Sequence, residues 1–223
     1  MNKKKKIIII IVSAIVGAIA LSLAVPFSIY GIRSAAIKTD YKYLKNDSLF
    51  NKKVEVKNIE LVTQHISCGY ATIEMMSSFY GNKISEDDLS KKNNGSISTS
   101  TTKGFLNELS DSIPNQSFVK LTYLENDMLL KEICVSLHAN NPVALEWAAK
   151  YEGEWTLHFS LISALDLEND NITIYNPYGL IENISIDEFI SRSTFEAYKN
   201  MPGFLSFGFA YGAFDKNAIF FAK

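Results

Sequence analysis

Three side chains that together can perform nucleophilic catalysis occur in the order Cys68, His158 and Asn176. A cysteine nucleophile needs a base to take its proton, and that imidazole needs a third group to fix its tautomer. Taken singly, each residue has a simpler explanation: a core cysteine, a half-buried strand histidine and a turn former before Pro177. Only as an ordered set do they predict a thiol-dependent catalytic site.

The segment around Cys68 has the pattern of a buried helix. Ser67 is a suitable N-cap and Gly81 a suitable end, so the predicted helix begins at Cys68. Apolar residues fall on most of its sides, which is typical of a helix inside a domain. A thiol in the first turn lies at the positive end of the helix dipole. We therefore expect a lowered pKa for Cys68 and a larger thiolate fraction.

The second half of the chain reads mainly as strands. His158 lies in a predicted strand over residues 156–165, and Asn176 follows the next strand after a predicted hairpin. Adjacent antiparallel strands bring such positions side by side. Further strands are predicted over residues 204–211 and 218–222. Helices first and a mainly antiparallel sheet afterwards indicate an α+β fold.

The N-terminus joins a basic cluster, Lys3–Lys6, to an apolar run from Ile7 to about Tyr30. A helix needs about 20 residues to cross a ~30 Å hydrocarbon core, whereas a signal peptide has an apolar stretch of only ~7–15 residues. The run therefore predicts an uncleaved signal anchor, with the lysines in the cytoplasm and the rest of the chain outside. A cleaved signal peptide followed by secretion is the alternative.

The chain divides into three predicted parts. Residues 1–32 hold the basic cluster and the membrane anchor, and residues 33–58 form a polar stalk. Residues 59–223 form one globular domain, which is enough chain for a single core.

Composition excludes several classes of function. The 223 residues carry a formal net charge of -2, which gives no sign of nucleic-acid binding. Three histidines and two cysteines show no metal-ligand spacing, and we expect no metal or other cofactor. Two cysteines do not form a disulfide framework. Pairing of Cys68 with Cys134 stays open, and it would make the domain structural or redox-gated.

Several short motifs carry a resemblance to a known family. In chain order they are Gln64, Ser67-Cys68-Gly69-x-Ala71, Tyr80-Gly81, Ser85–Leu89, His158-Phe159 and Asn176-Pro177-x-Gly179. With them the sequence resembles the papain-like cysteine peptidases of the bacteriocin-processing type, which cut double-glycine leaders, and their stand-alone relatives. The likeness covers roughly residues 60–195.

The resemblance implies a papain-like α+β fold and a role for each of four residues. Cys68 would be the nucleophile, His158 the general base and Asn176 the group that orients the imidazole. Gln64 would be the oxyanion-hole donor beside the Cys68 backbone N–H. Two features depart from the family. It often has Asp-Pro where this chain has Asn176-Pro177, and its glutamine usually stands further before the cysteine than Gln64 does.

The resemblance leaves the substrate open. Bacteriocin-processing peptidases usually work in the cytoplasm, fused to an exporter, and this sequence contains no P-loop motif. The sequence therefore favours a surface-tethered peptidase that acts on a peptide or protein. The alternatives are a peptide-transferring relative and a catalytically silent domain that binds a peptide or a partner.

Overall fold

The computed structural model describes the backbone of residues 3–223 and the side chains of Lys5 and residues 10–223. The basic cluster Lys3–Lys6 thus lies, apart from Lys5, outside the described side chains. The helices are α1 (Lys3–Ala36), α2 (Cys68–Phe79), α3 (Glu86–Lys92), α4 (Thr102–Ser112), α5 (Asn126–His138), α6 (Ile186–Ser193) and α7 (Gly203–Ala210). The strands are β1 (Val54–Glu55), β2 (Phe118–Leu121), β3 (Val143–Tyr151), β4 (Glu154–Asp166), β5 (Asn171–Asn176), β6 (Leu180–Ile184) and β7 (Ala218–Ala222). Two short 3-10 helices cover Lys42–Asn46 and Ser48–Phe50.

All seven strands form one antiparallel sheet. Its order is β2-β7-β3-β4-β5-β6, and β1 pairs with the end of β4 beyond β3. The long hairpin of β3 and β4 is the centre of the sheet. It pairs Trp147 with His158 and Glu146 with Phe159, so these two pairs face opposite sides of the sheet.

Helices pack against the sheet around a continuous apolar core. On the Phe159 side, the ring of Phe105 from α4 stacks on Phe159 with centroids 4.2 Å apart, and Phe220 of β7 joins them. The core residues of α2, among them Ile73 and Met76, are fully buried. Helices followed by an antiparallel sheet confirm the predicted α+β class.

The segment after α1 is packed onto the domain. Leu44 and Phe50, in the two 3-10 helices, are buried in the main core, and β1 is part of the sheet. The many lysines of residues 33–58 predict a polar stalk. Those lysines alternate with apolar residues, and it is the apolar residues that anchor the segment to the core.

The tail differs from prediction at one element. Residues 204–211 were expected to form a strand, and the structure instead has the helix α7, whereas the predicted strand over residues 218–222 is present as β7. A short run that is almost wholly apolar and aromatic lacks the periodicity that separates a strand from a buried helix.

Candidate active site

Cys68 is the first residue of α2, and its neighbours on both sides fix its position. The Ser67 hydroxyl caps the helix by accepting the Tyr70 N–H at 3.1 Å. Gly69 lies against Thr99, and a Cβ atom at position 69 would come within 2.2 Å of the Thr99 hydroxyl oxygen. The glycine after the cysteine is therefore required by a close approach that any side chain would block.

The loop before Cys68 is held by the buried carboxylate of Glu86, the first residue of α3. This carboxylate accepts the backbone N–H groups of His65, Ile66 and Ser67 at 2.9 to 3.0 Å. Hydrogen bonds to an ionised acceptor are stronger than neutral ones. Glu86 therefore fixes the path of the chain that leads into the thiol-bearing helix.

His158 and Asn176 come together from neighbouring strands of the sheet. His158 Nε2 lies 2.8 Å from Asn176 Oδ1, and both side chains are buried. The same Oδ1 accepts the Tyr178 N–H at 2.9 Å, and Asn176 Nδ2 donates to Glu182 Oε1 at 2.6 Å. Because an amide oxygen only accepts, the hydrogen-bond network assigns the proton to His158 Nε2. The Nδ1 atom is then the free acceptor of the ring.

An ion pair between buried Arg192 and half-buried Glu182 supports Asn176. Arg192 Nη1 donates to Glu182 Oε2 at 2.7 Å, and Arg192 Nε donates to the Ala148 carbonyl at 2.9 Å. The guanidinium also lies 3.6 Å from the centre of the Trp147 ring. Burial acts to raise the pKa of Glu182, but hydrogen bonds from Arg192 and Asn176 outweigh it and leave that pKa lowered. The Glu182 carboxylate therefore stays ionised and accepts from the amide.

Tyr178 covers one face of the imidazole. Its ring stacks on His158 with centroids 4.0 Å apart and an interplanar angle of 23°. Its hydroxyl lies 2.8 Å from the Thr156 hydroxyl, and the Tyr151 ring packs against the Tyr178 ring with centroids 4.7 Å apart. This stack fixes the ring plane and keeps water from that face of His158.

Burial also sets the charge of the two central groups. It raises the pKa of Cys68 to about 11, although hydrogen bonds from the backbone N–H groups of Phe159 and Gly69 oppose the shift. Burial lowers the pKa of His158 to about 4, against the opposing effect of Asn176. At neutral pH the resting site therefore holds a neutral thiol and a neutral imidazole. The described hydrogen bonds include none between these two side chains.

The expectation of a lowered pKa for Cys68 is wrong for this resting structure. The helix start supplies the predicted N–H groups, but the free-energy cost of removing the thiolate from water exceeds the stabilisation that those groups provide. The buried carboxyl of Glu146, whose own pKa burial raises well above its usual range, also acts to raise the pKa of Cys68. Sequence alone shows the helix start but not this burial.

Gln64 lies beside the turn that carries Asn176. Its backbone N–H donates to the Pro177 carbonyl at 2.8 Å. Its side-chain Oε1 is buried and has no hydrogen-bond partner in the described part of the chain. A cavity of about 320 Å³ adjoins this side chain and is lined by Thr63, Gln64, Tyr151, Pro177 and Tyr178. Gln64 thus borders an open pocket next to the stacked imidazole.

The turn after Asn176 requires a glycine. Gly179 has a φ of +83°, a backbone conformation that side chains other than glycine rarely adopt. A Cβ atom there would also lie 3.1 Å from the Thr63 hydroxyl oxygen. The Asn-Pro-x-Gly motif therefore brings the segment before Gln64 close to the end of β5.

Both cysteines are free thiols. Cys134 is buried on α5, where its Sγ lies 3.5 Å from the Leu49 carbonyl oxygen. The alternative of a Cys68–Cys134 disulfide is not met in this structure. Among the described residues, no group of three or more His, Cys, Asp or Glu side chains is placed to hold a metal ion.

Four residues around the site were not identified from sequence: Glu86, Tyr178, Glu182 and Arg192. The signal for Glu182 was the hairpin after Asn176, because the register of β5 and β6 places Glu182 opposite Ile174, on the same face as Asn176. Reading this signal requires the strand boundaries, which the sequence does not fix to one residue.

The fold and these side chains define the class of protein. A thiol at the start of a buried helix, followed by a strand histidine tied to an asparagine, is the arrangement of papain-like cysteine peptidases. The family described as the Peptidase_C39 like family matches residues 56–203, and the chain belongs to this family. The predicted likeness to bacteriocin-processing peptidases is confirmed.

Solved structures support the same fold. One match is the crystal structure of a double glycine motif protease from an AMS/PCAT transporter, determined in complex with the leader peptide. The two chains share 14% sequence identity with a TM-score of 0.50, and the match covers 77% of this chain and 97% of that one. At this identity the likeness concerns the fold alone. A comparison with curated protein sequences found no match.

Proposed function

We propose that this chain is a membrane-anchored cysteine peptidase that cleaves peptide bonds with Cys68 as nucleophile, His158 as base and Asn176 as orienting residue. The observation that carries the proposal is the hydrogen bond between His158 and Asn176. It leaves Nδ1 of the imidazole free to accept a proton, as a general base requires.

Acylation begins from the neutral pair. His158 Nδ1 takes the proton of the Cys68 thiol as the sulfur attacks the substrate carbonyl carbon. The carbonyl oxygen becomes an oxyanion, which Gln64 Nε2–H and the Cys68 backbone N–H stabilise. The carbon–nitrogen bond then breaks, and the imidazolium gives its proton to the departing amine. A thioester on Cys68 remains.

Deacylation regenerates the site with a water molecule. Neutral His158 takes a proton from the water, whose oxygen attacks the thioester carbonyl. The carbon–sulfur bond breaks, the proton returns to Cys68, and the carboxylic acid leaves. An amine in place of water would make the same intermediate a peptide-transfer step, so analysis of the products separates a hydrolase from a transferase.

The membrane anchor is supported by α1. Within its stretch Ile10–Ala36, the most apolar window of 18 residues has a mean hydropathy of 2.5 and is not buried within the protein. At 1.5 Å per residue, 27 residues extend about 40 Å, which is enough to cross a bilayer. With Lys3–Lys6 in the cytoplasm, the domain after α1 lies outside. Secretion after cleavage of this segment is the alternative.

A peptide substrate is supported by the solved relative and by the pocket. The relative was crystallised with a leader peptide. In this chain the pocket beside Gln64 is open to solvent and offers the rings of Tyr151 and Tyr178 and the Gln64 side chain to a peptide. We propose an extended peptide that passes this pocket and brings its carbonyl to Cys68.

One observation favours a second candidate function, peptide binding without cleavage. The thiol and imidazole are neutral and are not hydrogen-bonded to each other in the described structure. A domain that binds peptides without cutting them would retain this state. The catalytic proposal instead requires peptide binding to bring the two groups into proton transfer.

Covalent labelling separates the two functions. The full chain in detergent is treated with a peptide-type inhibitor carrying a cysteine-directed group, and the labelled residue is identified by mass spectrometry. Labelling of Cys68 that His158→Ala abolishes supports the peptidase. Labelling that His158→Ala leaves unchanged would support a binding domain.

Protease added to intact cells tests the orientation of the anchor. A domain outside the cell is digested, whereas a domain inside the cell is protected.

A further inference from the structure

The helix α7 exposes an unusual amount of aromatic surface. It runs over Gly-Phe-Leu-Ser-Phe-Gly-Phe-Ala and carries no charged side chain. Phe204 is 70% exposed and Phe207 is 50% exposed, while Tyr211, directly after the helix, is 53% exposed. Large apolar patches on a surface mark sites that contact a partner or a membrane.

This aromatic surface lies directly against α1. Phe207 meets Phe27 edge to face with ring centroids 5.1 Å apart, and Phe209 stacks on Tyr30 at 5.9 Å. The contact joins the peptidase domain to the apolar helix itself. The exposed rings of α7 and the exposed side chains of α1 thus form one continuous apolar surface.

A hydrogen bond inside this contact fits a lipid environment. Pro26 lies within α1 and has no backbone N–H, so the Ser22 carbonyl, four residues earlier, loses its helical donor. The Tyr211 hydroxyl donates to this carbonyl at 2.9 Å. An unpaired backbone carbonyl is strongly disfavoured in hydrocarbon, where no water can donate to it. A residue of the domain thus supplies the donor that the proline removes from α1.

The contact lies at the level where a bilayer would end. About 20 residues counted from Ile7 reach Pro26, which places there the boundary of the hydrocarbon on the side of the peptidase domain. Beyond it come Arg33 and Lys38 on the same chain segment, and Lys216 lies over the Tyr30 ring at 5.4 Å. Membrane interfaces show the same order of residue types: apolar rings in the hydrocarbon, tyrosines at its boundary and cations beyond it.

We propose that α7 is embedded in the surface of the lipid bilayer, packed against α1, and that Tyr211 completes the α1 hydrogen bonding at the Pro26 break. Lipid then contacts the exposed aromatic surface, and the domain lies against the membrane. This inference rests on the proposed anchor but holds for either orientation of α1. It does not depend on catalysis.

The test places tryptophan reporters in the full chain, reconstituted in phosphatidylcholine vesicles with or without brominated acyl chains. Phe207→Trp reports on α7 and Leu21→Trp on α1. Val135→Trp, at a site on α5 that is 53% exposed, is the matched control. The native tryptophans give a background measured on the unsubstituted chain.

We expect the brominated lipid to remove the added emission of Phe207→Trp and Leu21→Trp but not that of Val135→Trp. If the brominated lipid quenches the emission of Leu21→Trp but not that of Phe207→Trp, the proposal that α7 is embedded in the bilayer is overturned, and the anchor proposal stands. Full emission at both positions would overturn the anchor and this inference together.

A second measurement tests the role of Tyr211. In vesicles, Tyr211→Phe is expected to lower the unfolding temperature of the full chain. In a Pro26→Ala background the Ser22 carbonyl regains its helical donor, so the same substitution should leave that temperature unchanged. An equal shift in both backgrounds would overturn the assigned hydrogen bond.

Discussion

Asn176 Nδ2 donates to Glu182 Oε1 at 2.6 Å, while Asn176 Oδ1 accepts from His158. This relationship explains why an amide stands where related peptidases often have aspartate. An aspartate at position 176 would put a carboxylate oxygen against the ionised Glu182. The amide accepts from the imidazole and donates to the carboxylate, so it satisfies both neighbours.

The first prediction follows from this pairing. Asn176→Asp is expected to lower turnover at least about tenfold, or about 1.4 kcal/mol of transition-state stabilisation, because like charges at this distance displace the orienting group. Glu182→Gln in the same chain should restore turnover, since its amide donates to the new carboxylate. Steady-state kinetics on the two single variants and the double variant measure the effect. A double variant no better than Asn176→Asp would contradict the assigned pairing.

The second prediction concerns stability at acid pH. Burial lowers the pKa of His158 from 6.5 to about 4, so the unfolded chain binds this proton more readily than the folded one. The contribution is fully present above pH 6.5 and is lost as pH falls toward 4, by up to about 3 kcal/mol. Thermal unfolding between pH 4 and 7 measures it.

The control for this pH effect is His158→Gln, which keeps a polar side chain but cannot titrate. Its unfolding temperature should depend less on pH between 4 and 7 than that of the unsubstituted chain. Identical pH profiles for the two proteins would show that His158 is not buried in its neutral form.

The third prediction concerns the loop before the nucleophile. Glu86→Ala leaves three backbone N–H groups without their acceptor, and we expect a loss of about 2–4 kcal/mol in stability together with lower turnover. Asp87→Ala is the matched control on the same helix, because exposed Asp87 contacts this loop through the His65 side chain at 3.3 Å and accepts none of its backbone N–H groups. Denaturant unfolding of both variants gives the comparison. Equal losses for the two would remove the special role of Glu86.

Much of the local structure is predictable from sequence because its signals are local. The side chains of Ser67, Ser85 and Thr101 cap their helices as their types indicate. At the Ser85 cap, the Ser85 backbone N–H also donates to the Asp88 carboxylate, which completes a capping box. The order of Cys68, His158 and Asn176 in the sequence also identified candidate site residues. Of these, His158 and Asn176 are in direct contact. Roles in catalysis stay predictions until they are tested.

What the sequence did not reveal depends on tertiary packing. The charge states of Cys68 and His158 follow from burial, which no motif encodes. The role of Glu182 follows from the register of one hairpin. The run over residues 204–211 is almost wholly apolar and aromatic, a pattern that fits a strand or a buried helix, and in the structure it is a helix packed against α1. In each case long-range contacts override a local pattern.

The proposed peptidase activity depends on Cys68 as the nucleophile. The most direct measurement is peptide cleavage by the full chain, scanned with a peptide library by mass spectrometry, in which Cys68→Ala is compared with Cys134→Ala. We predict that Cys68→Ala abolishes cleavage and keeps its circular dichroism spectrum, whereas Cys134→Ala cleaves as the unsubstituted chain does. Because the residues act as a unit, adding His158→Ala to Cys68→Ala should cost little more. Cleavage that persists in Cys68→Ala would contradict the mechanism.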